Sequence, residues 1–163
     1  IAPALAPEPD LFGSPAADAR IEKAACMMAD SAGRFHPDHR SIMAYDQALR
    51  APYVGVSHSE RALIAHAIGC RYEKDFKRPD DYVGLTTPEQ DERARQIGSA
   101  MRLGAVFSGR SGPILQRARL VRTHDALELR VSEADAAMVS DTVERRLSQT
   151  ASQLRLKPDV VIS

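Results

Sequence analysis

Apolar residues recur at helical spacing along most of this chain, and capping signals mark where the runs begin. Ile21, Ala24, Ala25 and Met28 line one side of a helix predicted over residues 16–32, with Gly33 where a C-cap belongs. The turn GRFHPDHR follows, and Ile42, Tyr45 and Leu49 mark a second helix that stops before Pro52. Ser57 and Glu60 form a capping-box pair at the head of a third helix, whose buried face is Leu63, Ile64, Ala67 and Ile68. The polar, punctuated stretch 73–85 reads as a loop. Thr87, Pro88 and Gln90 then combine an N-cap, a first-turn Pro and a second capping box. They open a helix that Ala94, Ile97, Met101 and Gly104 carry to about Phe107, where SGRSGP ends it.

After Pro113 the spacing turns to alternation. Leu120 sits between Arg119 and Val121, and Leu127, Leu129 and Val131 alternate with Glu128 and Arg130. With His124-Asp125 between the two runs, this predicts a β-hairpin. A last helix is expected over residues 133–154, with Val143, Leu147, Thr150 and Leu154 as its buried stripe, and Val160, Val161 and Ile162 as a short closing strand. The expected fold is mainly α with a small β-hairpin or sheet near the C-terminus, α+β overall, without internal repeats. Pro3, Pro7, Pro9 and Pro15 make residues 1–15 an extended Pro-rich linker, leaving 16–163 as the domain. A chain that opens on a linker without Met reads as a piece of something longer.

Composition narrows the class without naming a function. At 163 residues, 44% hydrophobic and 27% charged, the chain is an ordinary globular domain with enough material for a core. Two Cys cannot frame a disulfide scaffold, no apolar run approaches the length of a membrane span, and residues 1–15 do not read as a signal peptide, having no basic start before an apolar stretch. The expected compartment is the reducing cytoplasm. The 22 basic and 22 acidic side chains cancel, which argues against wholesale coating of nucleic acid. The cancellation hides an asymmetry, because between Arg93 and Arg122 there are seven Arg and no acidic residue. Either these guanidinium groups form a track for phosphate oxygens, or they pair with acids on other helices. No aromatic residues interleave with them to stack bases.

Motifs for chemistry are sparse. The chain has no phosphate-binding P-loop, dinucleotide fingerprint or nucleophile elbow. SGRSGP lacks a following helix and a Lys, so it reads as a plain helix-ending loop. Cys26 and Cys70, set among small apolar residues, read as buried inert thiols, and His66 as a hydrogen-bonded structural imidazole. The stretch ADSAGRFHPDHR packs two Asp, two His and two Arg together. Asp30, His36 and His39 are the residues that a hydrolytic divalent metal would need there. Pro37 makes the two His a turn pair without the spacing that puts two imidazoles on one helical face, so phosphate contacts or a solvated turn stand beside the metal reading.

The segment KAACMMADSAGRFHPDHRSIMAYDQALRAPYVGVSHSERALIAHAIGCRYEK resembles the C-terminal domain of bacterial exopolyphosphatases, of the exopolyphosphatase/guanosine pentaphosphate phosphohydrolase family. MRLGAVFSGRSGPI, the RARLVRTHDALELRV hairpin and the VERRLSQTASQL helix continue the resemblance in order, over roughly residues 16–155. It implies a helical domain like that of the HD metal-dependent phosphohydrolases, attached to two actin-like catalytic domains that use Mg and are absent from this chain. This sequence departs from the HD pattern at three places. The doublet reads Ala29-Asp30, an expected His is replaced in Arg71-Tyr72-Glu73, and a late Asp is missing in Arg102-Leu103-Gly104-Ala105. The resemblance therefore implies a non-catalytic accessory domain, without a metal of its own, in a homodimeric parent that removes terminal phosphates from inorganic polyphosphate. Candidate phosphate contacts are Arg34, His36, His39, Arg40, Arg71, Lys74, Arg102 and Arg110; no membrane or specific nucleic-acid partner is expected. An HD-type phosphohydrolase with altered ligands and a purely structural dimerisation module are the alternatives.

Overall fold

The computed structural model describes residues 16–163, with side chains from residue 19 onward; the predicted linker 1–15 lies outside the described residues. Six helices and three strands follow in the order α1 (Ala16–Met27), α2 (Arg40–Arg50), α3 (His58–Tyr72), α4 (Pro88–Ser108), α5 (Gly112–Leu115), β1 (Arg119–Arg122), β2 (Ala126–Val131), α6 (Asp141–Gln153) and β3 (Lys157–Ile162). The fold is mainly α with a three-stranded sheet near the C-terminus, as the periodicity predicts.

Helix α3 is the axis of the domain. Residues 62–71 are buried without interruption, so the helix is enclosed on all sides by α1, α2 and α4. Both predicted capping boxes form. The Ser57 hydroxyl accepts from the Glu60 amide and the Glu60 carboxylate accepts from the Ser57 amide; Thr87 and Gln90 do the same for α4. Helices α3 and α4 approach closely at Gly98, where a Cβ would lie 2.5 Å from Cys70 Cβ and 2.7 Å from the Ala67 carbonyl oxygen.

The second layer is the sheet, in the order β1-β2-β3. Strands β1 and β2 form the predicted hairpin, with Leu120 opposite Leu129, and β3 adds parallel to β2 with Val160 opposite Leu129. A parallel pair needs a crossover, which α6 supplies. Its stripe of Val143, Leu147, Thr150 and Leu154 is buried as expected, together with the inward Leu127, Leu129 and Val131 of β2.

Several boundaries differ from the expectation, each for an identifiable reason. Helix α1 ends at Met27, not near residue 32. Beyond it the chain tightens into successive three-residue turns (Ser31 amide to Met28 carbonyl, Gly33 amide to Asp30 carbonyl), and Asp30 turns toward Arg71. The last predicted helix is interrupted. Residues Glu133–Met138 form a 3-10 turn because the buried Asp135 carboxylate accepts from the Ser132 hydroxyl and Arg117, and α6 restarts after Ser140. The expected loop 73–85 contains a 3-10 turn, Asp80–Leu85, and the last two residues of SGRSGP open the single-turn helix α5, contrary to the expectation of a plain loop. Of the residues that mark α2 in the sequence, Ile42 is exposed, while Ser41 and Ala44 face inward with Tyr45.

Candidate functional site

The eight candidate phosphate contacts fall into three groups. Arg34, His36 and His39 are exposed on the turn before α2. The His36 imidazole accepts from the Asp38 amide at 3.4 Å and lies 3.6 Å from the Asp38 carboxylate, with the His39 ring centroid 6.1 Å away. Arg40 is engaged by the fold, donating twice to the Phe35 carbonyl with its guanidinium 5.9 Å from the Tyr72 ring centroid. Arg71 and Arg110 line one pocket, Lys74 and Arg102 another. The run of seven Arg likewise divides: Arg93 pairs with Glu22 and Arg117 with Asp135, whereas Arg95 joins Lys74 and Arg102.

The pocket of Lys74, Arg95 and Arg102, about 270 Å³, lies between α4 and α6. Arg95, Ser99 and Arg102 project from one side of α4 at i, i+4 and i+7, and Ser148 and Ser152 face them from α6 at i and i+4. Gln149 and Gln153 complete the wall, and no carboxylate lines it. The two walls are joined by a half-buried hydroxyl contact, Ser99 Oγ to Thr150 Oγ1 at 2.9 Å. Lys74 and Arg95 are exposed, whereas Arg102 is only 9% exposed. Arg102 donates through one terminal nitrogen to the Cys70 carbonyl, while its buried Nε has no partner. Burial first, then the neighbouring Arg146 and Arg71 cations, push its pKa down to about 10 against the partial compensation of Asp75. A phosphate oxygen in this pocket would relieve that partly compensated positive field and meet serine hydroxyls already in place.

The second pocket, about 330 Å³, brings together Asp30, Arg71, Gly104 and Ala105. These are the positions at which the chain departs from the HD pattern. Arg71, buried, pairs with Asp30 at 3.3 Å, so a guanidinium engages the single carboxylate retained there. Among the described residues no group of three or more His, Cys, Asp or Glu converges, so this donor set does not fit a hydrolytic divalent cation, and no step is derived through one.

His66 is buried and lies 3.3 Å from Asp91. Burial, aided by Arg78, outweighs the attraction of Asp91 and holds its pKa below the usual imidazole value. Asp91 also accepts from Arg78 and Thr86, each at 2.6 Å, so its charge is shared. Burial likewise raises the Cys26 thiol to about 11 and Cys70 to about 12; Cys70 is buried as expected, whereas Cys26 is half-buried, because it faces the pocket of Arg71.

Ser99, Ser148 and Ser152, and Arg95 as a wall of the same pocket, are not among the candidates read from the sequence. The available signal was the polar stripe Arg95-Ser99-Arg102, which runs at helical spacing into the apolar second half of α4, paired with Ser148 and Ser152 beside the buried stripe of α6. No helix among the described residues is long and apolar enough to cross a membrane. In comparisons with known proteins, no curated protein matches the sequence. A family model described as "Exopolyphosphatase, C-terminal" matches residues 13–160, nearly the whole chain. Because that match spans well over half of the sequence, the chain belongs to the family of exopolyphosphatase C-terminal domains, a family of hydrolase components.

Proposed function

We propose that this chain is a non-catalytic accessory domain that holds a stretch of inorganic polyphosphate for an exopolyphosphatase. Hydrolysis of the terminal phosphoanhydride, with Mg, belongs to the actin-like domains of the parent. The observation that carries the reading is the pocket between α4 and α6, where three cations meet three serine hydroxyls without an opposing carboxylate. Lys74 and Arg95 at its exposed rim would draw the polyanion in, while Arg102 and the serines bind single phosphate groups. A polymeric anion suits such a site, because many moderate contacts add while the chain remains free to advance. Arg34, His36 and His39, exposed on their turn, are further contacts along the same ligand in this proposal. Homodimerisation of the parent is proposed with it, and is read separately by sedimentation of the domain across concentrations.

The test is a calorimetric titration of the domain with long-chain polyphosphate at two salt concentrations, for wild type and a Lys74→Ala/Arg95→Ala variant. Both side chains are exposed, so the variant keeps the fold. Affinity is expected to fall steeply with salt, and the log–log slope to shrink by roughly 0.7–0.9 for each cation removed. Equal slopes for the two proteins would place polyphosphate elsewhere, and absence of binding at low salt would reject the role.

A further inference from the structure

The pocket that contains Arg71 and Arg110 is chemically unlike the one between α4 and α6. One helical residue turns the chain by roughly 100°, so Met101, Gly104, Ala105 and Ser108 lie on a different side of α4 from Arg95, Ser99 and Arg102. Its walls are largely apolar. Met27 and Ala29 come from the end of α1 and the turn beyond it, Met101 and Ala105 from α4, and Leu115 from α5. Met27, 65% exposed, leaves an apolar side chain at the mouth of the pocket.

At one end of this apolar trough sit two guanidinium groups. Arg71 is 6% exposed, its ion pair with Asp30 is long at 3.3 Å, and its buried Nε has no partner. Arg110 is exposed and follows Gly109 in the left-handed backbone region, the two φ angles being 68° and 56°. For a non-glycine residue that conformation is costly. Asp30 is the single acid in the wall, so the lining carries one uncompensated positive charge. Burial and the nearby Arg110 lower the Arg71 pKa in spite of Asp30, as expected for a cation short of counter-charge. Ser108, almost fully buried, and Ser111 add hydroxyl groups.

We propose that this pocket is a separate binding site for a small organic anion, a phosphate or carboxylate head on an apolar body of about ring size. The head would lie against Arg71, Arg110 and Ser108, and the body against Met27, Met101, Ala105 and Leu115. A cavity of about 330 Å³ sits at the small end of ligand pockets, which limits the occupant to a compact molecule. Polyphosphate, with no apolar surface, gains nothing from this wall, so the site is independent of the polyphosphate reading. Methionines on two sides can adjust to the shape of the body.

Phenyl phosphate is the probe, with inorganic phosphate as the head group alone, measured by calorimetry on this chain. Phenyl phosphate is expected to bind one per chain, about tenfold or more tighter than inorganic phosphate. Arg110→Asn removes the guanidinium while keeping a residue that tolerates left-handed backbone, and should weaken binding about tenfold. Ala105→Leu fills the trough without changing charge and should do the same. Lys74→Ala/Arg95→Ala should leave phenyl phosphate affinity unchanged, separating this site from the polyphosphate pocket. Absence of binding, equal affinity for inorganic phosphate, full affinity in Arg110→Asn, or loss in the Lys74/Arg95 variant would each overturn the proposal.

Discussion

Gly98→Ala is the substitution that most sharply tests how α3 and α4 are held together. The new Cβ would lie 2.5 Å from Cys70 Cβ, 2.7 Å from the Ala67 carbonyl oxygen and 2.9 Å from the Cys70 carbonyl carbon. Ordinary carbon contacts sit near 3.5–4.0 Å, so the two helices must part locally by about 1 Å. Two of the three obstacles are backbone atoms of the most enclosed helix, and no rotamer change relieves them. Overpacking of this kind costs about 1–3 kcal/mol or more. Against it stands a helix-propensity gain of at most about 1 kcal/mol for replacing Gly with Ala. Because the steric term falls on backbone, the net loss should be about 1–2 kcal/mol, lowering Tm by roughly 2–8 °C in a domain of this size. Arg102, one turn beyond Gly98, reaches the Cys70 carbonyl across the same close approach, so polyphosphate affinity should fall as well. Urea denaturation with an unchanged m value is the assay. Gly84→Ala is the control: a Cβ there meets nothing within 4 Å and should change stability by less than about 0.5 kcal/mol. A Gly98→Ala protein as stable as wild type would refute the reasoning.

Three further outcomes are expected. Since burial lowers the His66 pKa, the unfolded chain binds more protons than the folded one below the ordinary imidazole value of 6.5. Stability is therefore full above that value and lost as pH falls toward the lowered folded pKa; urea midpoints should drop with acidification, and less so in His66→Gln. Asp135→Ala removes a buried carboxylate that accepts from Ser132 and Arg117, at a cost of about 1–2 kcal/mol. Arg117 is half-exposed and can return to water, so a loss above about 3 kcal/mol, or none, in urea unfolding would contradict the assignment. With their pKa values pushed up to about 11 and about 12, Cys26 and Cys70 should react with thiol reagents at neutral pH far more slowly than a small-molecule thiol; rapid labelling of the native domain would contradict their packing role.

Features encoded by neighbours along the chain were legible in the sequence. The capping boxes at Ser57 and Thr87 need only a residue and its third successor, and the α6 stripe and the β1–β2 alternation are likewise local. What could not be read depends on residues distant in sequence. The stop at Met27 goes with Asp30 turning toward Arg71, and the break before α6 goes with Arg117 engaging Asp135. The candidate site shows the same division. Lys74 and Arg102 were recognisable as candidates, but Ser148 and Ser152 join them only because α6 packs along α4 with Ser99 on Thr150. Arg71 and Arg110 share a pocket because α4 reverses at Gly109, bringing Arg110 back beside the end of α3.

The most direct test of the central claim is to map tripolyphosphate on the domain by amide chemical-shift perturbation at low salt. The account predicts that the shifts concentrate at Lys74, Arg95, Ser99 and Arg102 and across residues 148–153 of α6, and that they fade as salt is raised. Perturbations that spare α4 and α6, or none at all, would contradict it.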